Sequence, residues 1–299
     1  MTQTNHLSVC ICSFKRPELL KRLLLELNNQ ETEGLFSYSI VVADNDRLES
    51  AKQVVSAFAR ASSIPVIYCV EPEQNIAMAR NKALENANGD FIVFIDDDEI
   101  PTTDWLRNLF KTLNNYQAAG VLGPVKPRFE HNPPSWVIKG KFFERPEYVT
   151  GHKLDWTETR TGNVLFRRSI LNGVNSVFNP EFGTGSEDVD FFRRMTEKGC
   201  IFVWCNEAIV FETVPPSRCR SSYFLRRALL RGSTFPKRRT GRVHNFLKSV
   251  IAVPSYLLLL PLVALSGQHM FIKYLIKLVD HSSRILAFLG CNLAKDRGI

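Results

Sequence analysis

Five apolar residues, Phe91 to Ile95, run directly into Asp96-Asp97-Asp98-Glu99. An unbroken apolar run of this length reads as a strand buried on both faces, as in a parallel sheet covered by helices. In open α/β sheets, ligands bind beyond the carboxyl ends of the strands. Here that end carries acidic groups side by side, which repel one another unless a divalent cation or water offsets them. A hard cation held by Asp96 and Asp98, and shared with a ligand's phosphates, explains the cluster. An acidic turn leading into a helix that starts near Trp105 explains it too.

Strand and helix signals alternate through residues 1–125. Leu7–Cys12 is a short apolar strand, and Pro17 opens an amphipathic helix with Leu19, Leu20, Leu23, Leu24 and Leu27 along one side. Tyr38–Ala43 is a strand ending at Asp44-Asn45-Asp46. A helix follows near Glu49–Ala61, then a third strand over Pro65–Val70. Asn75 begins a helix that stops at Asn88-Gly89, a common C-terminal signal. A helix over Trp105–Asn114 and a fifth strand over Ala119–Val125 come after the acidic tetrad. Such alternation predicts an α/β fold with a doubly wound, mostly parallel sheet and right-handed crossovers. From Pro127 to Arg160 regularity fades, as in a loop-rich segment that shapes a pocket or a long surface connection. Strand character resumes at Thr161–Phe166. Glu187–Lys198 reads as a helix ending at Gly199, with strands near Ile201–Trp204 and Ala208–Phe211.

Charge divides the chain. Residues 1–212 hold 23 Lys/Arg and 28 Asp/Glu, whereas residues 213–299 hold 15 and 2. The overall net charge of +8 is therefore a property of the tail. We expect a domain over residues 1–215, with halves of about 1–125 and 126–215, and a separate basic, helical region over 216–299. Within 218–242, nine Arg/Lys interleave with Tyr223, Phe224, Leu225 and Phe235. Val250–Leu265 then holds ten Leu/Ile/Val in sixteen positions and no charge. On an insertion scale those residues favour a bilayer by about 3 to 6 kcal/mol before Pro254, Ser255 and Pro261 are counted. A simple span needs about 20 apolar residues, so a re-entrant or interfacial segment fits as well as a crossing. Lys273, Lys277, Asp280 and Arg284 share one helical stripe, with Phe271, Leu275, Leu278 and Ile285 on the other side. That is the pattern of a helix lying in a membrane surface, or of a core helix packed on the rest of the protein.

The seven cysteines are an odd set without zinc-type spacing, and Cys10 and Cys12 fall inside a strand pattern, where a thiol behaves as a small hydrophobe. Reduced thiols are expected. No basic n-region followed by an apolar h-region opens the chain, so no signal peptide is expected.

Two acidic strand ends in one sheet, at Asp44-Asp46 and Asp96-Asp98, are harder to explain as turns than one, although Asp and Asn favour turns anyway. Arg16, before Pro17, suits a phosphate at a helix N-terminus or simple solvation. Asn75, Arg80 and Asn81 suit a ribose or diphosphate, and equally the capping of their own helix. Glu187 and Asp188 follow Gly183-Thr184-Gly185-Ser186 in a first helical turn. Acidic residues there stabilise the helix dipole by about 0.3–1 kcal/mol. A loop–helix junction also holds a base at hydrogen-bond distance from a hydroxyl.

The ordered series Val9-Cys10-Ile11-Cys12-Ser13-Phe14-Lys15-Arg16-Pro17, Val41-Val42-Ala43-Asp44-Asn45-Asp46, Asn75-Ile76-Ala77-Met78-Ala79-Arg80-Asn81, Phe94-Ile95-Asp96-Asp97-Asp98 and Glu187-Asp188 resembles the inverting family-two glycosyltransferases of GT-A-type fold. The branch it resembles is that of the bacterial exopolysaccharide, succinoglycan-type glucosyltransferases, over roughly residues 6–215. The resemblance implies that Asp96 and Asp98 bind Mn2+ or Mg2+ on a sugar-nucleotide diphosphate, with Asp98 the more direct ligand. It implies that Asp44 reads the nucleobase, that Arg80 lies near the diphosphate, and that Ser13, Arg16, Asp46, Asn75 and Asp97 belong to the nucleotide-sugar site. Asp188, with Glu187 beside it, resembles the catalytic base. Ala43 stands where many members have a first Asp, and Ala77 where many have Gly. A UDP-sugar donor and a lipid-linked saccharide acceptor are expected, as are membrane contact through residues 218–290 and a location on the cytoplasmic face of the bacterial inner membrane.

Other readings are weaker. A sugar-phosphate nucleotidyltransferase normally carries a Gly-rich phosphate loop near the N-terminus, and Ser13-Phe14-Lys15-Arg16-Pro17 has no glycine. Residues 218–248 as a nucleic-acid-binding arm fit their basic and aromatic mixture, but the adjoining apolar run favours lipid, and no nucleic acid is expected. A non-catalytic scaffold conflicts with two intact carboxylate sets. Arg218 and Arg220 are candidates to close over a diphosphate, or membrane-facing or solvated side chains.

Overall fold

The computed structural model describes residues 5–183, 185–234 and 242–291. Thr184 of the glycine-flanked lead, and Phe235 with Lys237, Arg238 and Arg239 of the basic segment, lie outside the described residues. Two compact units are present. One comprises residues 1–127 and 145–213, the other residues 128–144 and 214–299.

The first unit is built on β1 (Asn5–Ser13), β2 (Phe36–Asp44), β3 (Val66–Val70), β4 (Phe91–Phe94), β5 (Glu99–Pro101), β6 (Gly120–Leu122), β8 (Val164–Arg167) and β9 (Phe202–Trp204), with β7 (Val125–Phe129) and β10 (Val210–Val214) at its margin. Its helices are α1 (Pro17–Leu27), α2 (Lys52–Ala61), α3 (Ile76–Asn86), α4 (Trp105–Asn115) and α6 (Glu187–Glu197). The seven-stranded sheet has the order β3-β2-β1-β4-β8-β6-β9. β1 is parallel to both β2 and β4, so the chain winds to one side of β1 and then returns to the other. That reversal is the topological switch point, where such sheets open a ligand crevice.

The two faces of the sheet bury separate cores. Leu20, Leu23, Leu24 and Leu27 of α1 pack with Trp105 and Leu109 of α4 on one face. Ala77 and Ala83 of α3 pack with an aromatic group, Phe94, Phe166, Phe178, Phe191 and Phe192, on the other. Continuous apolar strands follow from burial on both faces, and Phe91–Phe94 is buried at every position.

Two expectations need correction, and the mostly parallel sheet gains one detail. The predicted strand Ala119–Val125 is two strands, β6 and β7, which part at Gly123-Pro124 and join different sheets. The acidic tetrad does not lead straight into a helix, because Glu99 begins β5, which pairs antiparallel with β10. The sheet is mixed, since β8 runs antiparallel to both β4 and β6. Sequence periodicity carries no direction, so a strand reached through a long irregular segment can be laid either way.

In the second unit, short α5 (Ser135–Lys139) and helices α7 (Ser221–Thr234) and α9 (Gln268–Phe288) bury a small core of Trp136, Val137, Phe224 and Ile272, and α8 (Arg242–Ala264) packs on α9. Here the predicted stretch Val250–Leu265 is the later part of a longer helix that continues through Pro254 and Pro261. Its segment Val243–Ala264 is long and apolar enough to cross a membrane. The predicted surface stripe on α9 is partly engaged: Asp280 pairs with Arg231 at 3.3 Å and with Arg284 at 2.5 Å, and Lys273 lies over the Phe142 ring.

The turn joining α3 to β4 crosses β1 closely. The Ser8 hydroxyl accepts the backbone N–H groups of Asn88 and Gly89 at 3.2 and 2.8 Å. A Cβ on Gly89 would lie 2.6 Å from the Ser8 nitrogen and 2.7 Å from the His6 oxygen, with only backbone to yield. Gly89→Ala is therefore expected to destabilise the protein by about 1–3 kcal/mol, read as a lower midpoint of urea unfolding.

Candidate active site

Parallel register brings the chemistry-bearing residues to one edge. Ser13, the last residue of β1, stands opposite Asp44, the last residue of β2. Phe94 of β4 stands opposite Cys10 of β1, so Asp96–Asp98 emerge on the same side.

The acidic tetrad is not a uniform cluster. Asp97 is buried, accepts the Ser13 hydroxyl at 2.8 Å and meets the Arg16 guanidinium at 3.2 Å. Arg16 reaches Asp98 at 3.3 Å as well, so one guanidinium ties both carboxylates to the β1–α1 turn. Glu99 is sealed, and its carboxylate accepts the Asp96 backbone N–H at 3.2 Å. Asp96 alone opens outward, with its side chain 51% exposed.

These environments set the electrostatics. Burial drives Asp97 up to about 7 despite Arg16. Burial, and then Asp96, push Glu99 well above the carboxylate range. The neighbouring protein also crowds the half-exposed Asp96. That crowding raises its carboxyl, Arg80 opposes the rise, and Asp98 adds to it.

Arg80 projects from α3 and is itself buried. It pairs with Glu187 at the start of α6, approaches Asp96 at 3.7 Å and lies over the Phe178 ring. Burial opposes its charge, but Glu187 and then Asp96 outweigh that, so its pKa is raised. Asp188 is half-buried, and its Oδ1 accepts the adjacent Val189 N–H at 2.8 Å. The two neighbours thus differ: Glu187 is enclosed and committed to Arg80, whereas Asp188 is accessible. The chain enters α6 through Gly185 at φ +124° and Ser186 at φ +80°. A left-handed serine is costly backbone, a feature that concentrates at functional sites.

Asp44 is fully buried, and its carboxylate accepts the Asp46 N–H at 3.1 Å, the Ala51 N–H at 2.7 Å and the Tyr68 hydroxyl at 2.9 Å. As arranged, it holds the β2–α2 loop, and it reaches a ligand only by exchanging one of these donors. Asp46, also buried, accepts the Leu48 N–H at 3.2 Å in that loop. Asn75 caps α3 by accepting from the Ala77 and Met78 N–H groups, and donates to the Pro180 carbonyl at 3.0 Å. Its own N–H meets Asn45 Oδ1 at 3.0 Å, joining the β2 end to the loop before α6.

The structure thus gathers Ser13, Arg16, Asp97 and Asp98 into one group and Arg80, Asp96 and Glu187 into a second. Asp44, Asp46 and Asn75 form the neighbouring loop framework. Sequence reasoning missed Asn163, which is fully buried at φ +60°. It accepts the Trp105 indole N–H at 2.7 Å and donates to the carbonyls of Pro124 and Ala208. That hub fixes Gly162 against the tetrad: a Cβ there would lie 2.9 Å from Glu99 Oε1 and 3.1 Å from Asp96 Oδ2. A Gly-Asn pair inside a strand pattern was the available signal, since it marks a turn or a close backbone approach. Arg145, which pairs with Glu212 at 2.5 Å, had no sequence signal at all.

Among the described residues, no group of three ligating side chains could hold a metal ion by itself. The donor set instead suits a hard cation that takes one or two carboxylates here and its remaining ligands from a phosphate substrate, as Mg2+ commonly does.

Comparison with known proteins puts this chain in the class of nucleotide-sugar glycosyltransferases of GT-A architecture. Glycosyl transferase family 2 matches residues 8–174. Succinoglycan biosynthesis protein ExoM of Rhizobium meliloti (strain 1021) is 34% identical over 250 residues, 81% of this chain and 78% of that protein. Chondroitin synthase of Pasteurella multocida (strain Pm70) is 25% identical over 71% of this chain, a match spanning 25% of that protein. The chain belongs to glycosyl transferase family 2, an inverting family. Its fold is similar to the Pyrobaculum calidifontis mannosyltransferase PcManGT in complex with GDP-Man and Mn2+, with a TM-score of 0.64 at 17% identity, covering 99% of this chain and 89% of that one. S. aureus TarS 1-349 in complex with UDP-GlcNAc gives a TM-score of 0.53 at 15% identity, covering 97% and 93%.

Asp44→Asn would turn an amide NH2 toward buried donors, with an expected loss of about 1–3 kcal/mol in stability, measured by urea unfolding. Gly162→Ala should displace Asp96 at a stability cost of about 1–3 kcal/mol.

Proposed function

We propose that the protein is a metal-dependent inverting hexosyltransferase of cell-surface polysaccharide biosynthesis. It transfers a sugar from a nucleotide diphosphate, UDP being favoured, to a hydroxyl of a lipid-linked saccharide. The observation that carries this reading is the juxtaposition, at the switch point of the sheet, of outward-facing Asp96 with Arg80 and the Glu187-Asp188 helix start. Similarity to ExoM supports polysaccharide synthesis. The basic tail supports work at the cytoplasmic face of an anionic bilayer, where juxtamembrane Lys/Arg contribute about 1 kcal/mol each.

In this reading Asp96 and Asp98 would hold Mn2+ or Mg2+, which would offset charge that builds on the leaving diphosphate. Arg16 keeps Asp98 in register, and Arg80 adds fixed positive charge beside the diphosphate. Ser13, Asp46, Asn75 and Asp97 frame the nucleotide pocket, while Asp44 holds the loop that meets the base. Asp188 takes the proton of the acceptor hydroxyl. The hydroxyl oxygen then bonds to the anomeric carbon from the face opposite the nucleoside diphosphate, and the bond to the diphosphate breaks. Glu187 is a positioning residue that acts through Arg80.

The test is nucleotide release from UDP-, GDP- and dTDP-sugars by detergent-solubilised protein with membrane lipid extract, in Mn2+, Mg2+ or EDTA. Turnover of one donor, abolished by EDTA and lowered at least 100-fold by Asp98→Asn and by Asp188→Asn, is expected. Donor binding without metal and without any effect of Asp98→Asn would contradict the assignment.

A further inference from the structure

The helices of the second unit distinguish two ways of meeting a membrane. α9 is the middle helix, packed on α7 along one side and on α8 along another. On the α7 side, the Ser283 hydroxyl donates to the Ala228 carbonyl at 3.2 Å, and Arg231 pairs with Asp280. On the α8 side, Ser249 and His281 share a hydrogen bond at 3.0 Å, Phe246 stacks on Phe288, and Tyr256 contacts both Tyr274 and His281. α8 and α9 are thus antiparallel partners along most of their length, joined through Ser266-Gly267.

α8 has a second face with no partner among the described residues. Val243, Leu247, Ile251, Leu258, Leu262 and Leu265 recur at helical spacing, and Leu258 and Leu265 are 78% and 86% exposed. Scattered exposed leucines need no explanation, but a continuous apolar stripe does. Exposed His244 and Lys248 adjoin its start, and no acidic residue lies in α8 or α7. A cation-flanked apolar stripe complements an anionic lipid surface and offers an acidic protein nothing beyond its edge.

Length allows α8 to cross a bilayer, but its partner argues against it. If α8 crossed, Tyr256 near its middle would place Tyr274 and His281 of α9 at mid-membrane, and with them Lys277 and Asp280. Ionised groups there are expensive. Laid flat, the hairpin puts only the apolar stripe into lipid and keeps those charges at the water side.

We infer that α8 lies in the plane of an anionic membrane surface, with its exposed Leu/Ile stripe in the headgroup–acyl boundary, and does not span the bilayer. This deepens the membrane part of the proposed function and stands on the second unit alone.

The experiment uses the full chain on phosphatidylcholine/phosphatidylglycerol vesicles, with Leu247→Trp, Leu258→Trp and Leu265→Trp read against the parent's tryptophan signal. These sites span about 27 Å of helix at 1.5 Å per residue. A flat helix predicts equal quenching at all three, strongest from lipids brominated near the headgroup. Deep quenching of Leu258→Trp with shallow quenching at the other two means a crossing and overturns the inference. Ile251→Glu with Leu258→Glu should weaken vesicle binding at least tenfold, while nucleotide release in detergent stays at the parent level. Unchanged vesicle binding overturns the inference. So does a lipid-free dimer that this double variant dissociates, because it gives the stripe to a second copy. Loss of donor turnover in the parent protein would instead count against the transferase reading.

Discussion

The buried pairing of Arg80 with Glu187 is the interaction on which the rest of the site depends. Two charges removed from water stay charged only because each meets the other, and removal of one partner from such a pair costs about 3–5 kcal/mol. The pair links α3, which leaves the third strand, to α6, which arrives a hundred residues later. The bidentate amide contact of Asn81, the next residue of α3, with the Phe178 backbone at 2.7 and 2.9 Å holds the segment that leads to α6. With α6 fixed in this way, the angle at which Asp188 faces the crevice is set by packing and charge together. Asp96, on the other side of Arg80, feels the same guanidinium.

A division of labour among carboxylates follows. Asp44, Asp97, Glu99 and Glu187 are enclosed and engaged by donors of the protein itself. Asp96 and Asp188 are less enclosed. Buried acidic groups of the first kind hold strand ends and loops in place. In the proposed reading, the less enclosed pair serves the cation and the acceptor hydroxyl. Acidic residues that are adjacent in sequence therefore serve different ends, and the distinction lies in which hydrogen-bond donors the fold brings to each.

The second unit follows a different logic, being basic, helical and built around a small aromatic core. Its middle helix buries small residues, Ser283 and Ala287, where neighbours approach, and it pairs its one acidic residue with two arginines. What is left over is apolar surface on α8.

Periodicity and punctuation were enough to read β1 to β4, helices α1 to α4 and the helix that carries Glu187 and Asp188. Each is a local pattern of apolar spacing, a proline start or an asparagine cap. The ordered strand-end motifs were enough to identify the family, because strand ends and turns write their chemistry into consecutive residues. Direction and partnership were not written there. The antiparallel placement of β8, the split at Gly123-Pro124, the Asn163 hub and the pairing of Arg145 with Glu212 depend on segments distant in sequence. So does the difference between Glu187 and Asp188, which share a helical turn but face opposite environments. The α9 stripe read in sequence as a membrane-surface face or a packed one and is partly engaged by neighbours, because an amphipathic pattern records that a face is covered without recording by what. Local chemistry determined the elements and the reaction class, and only tertiary packing decided which charges were spent on structure and which were left free to act.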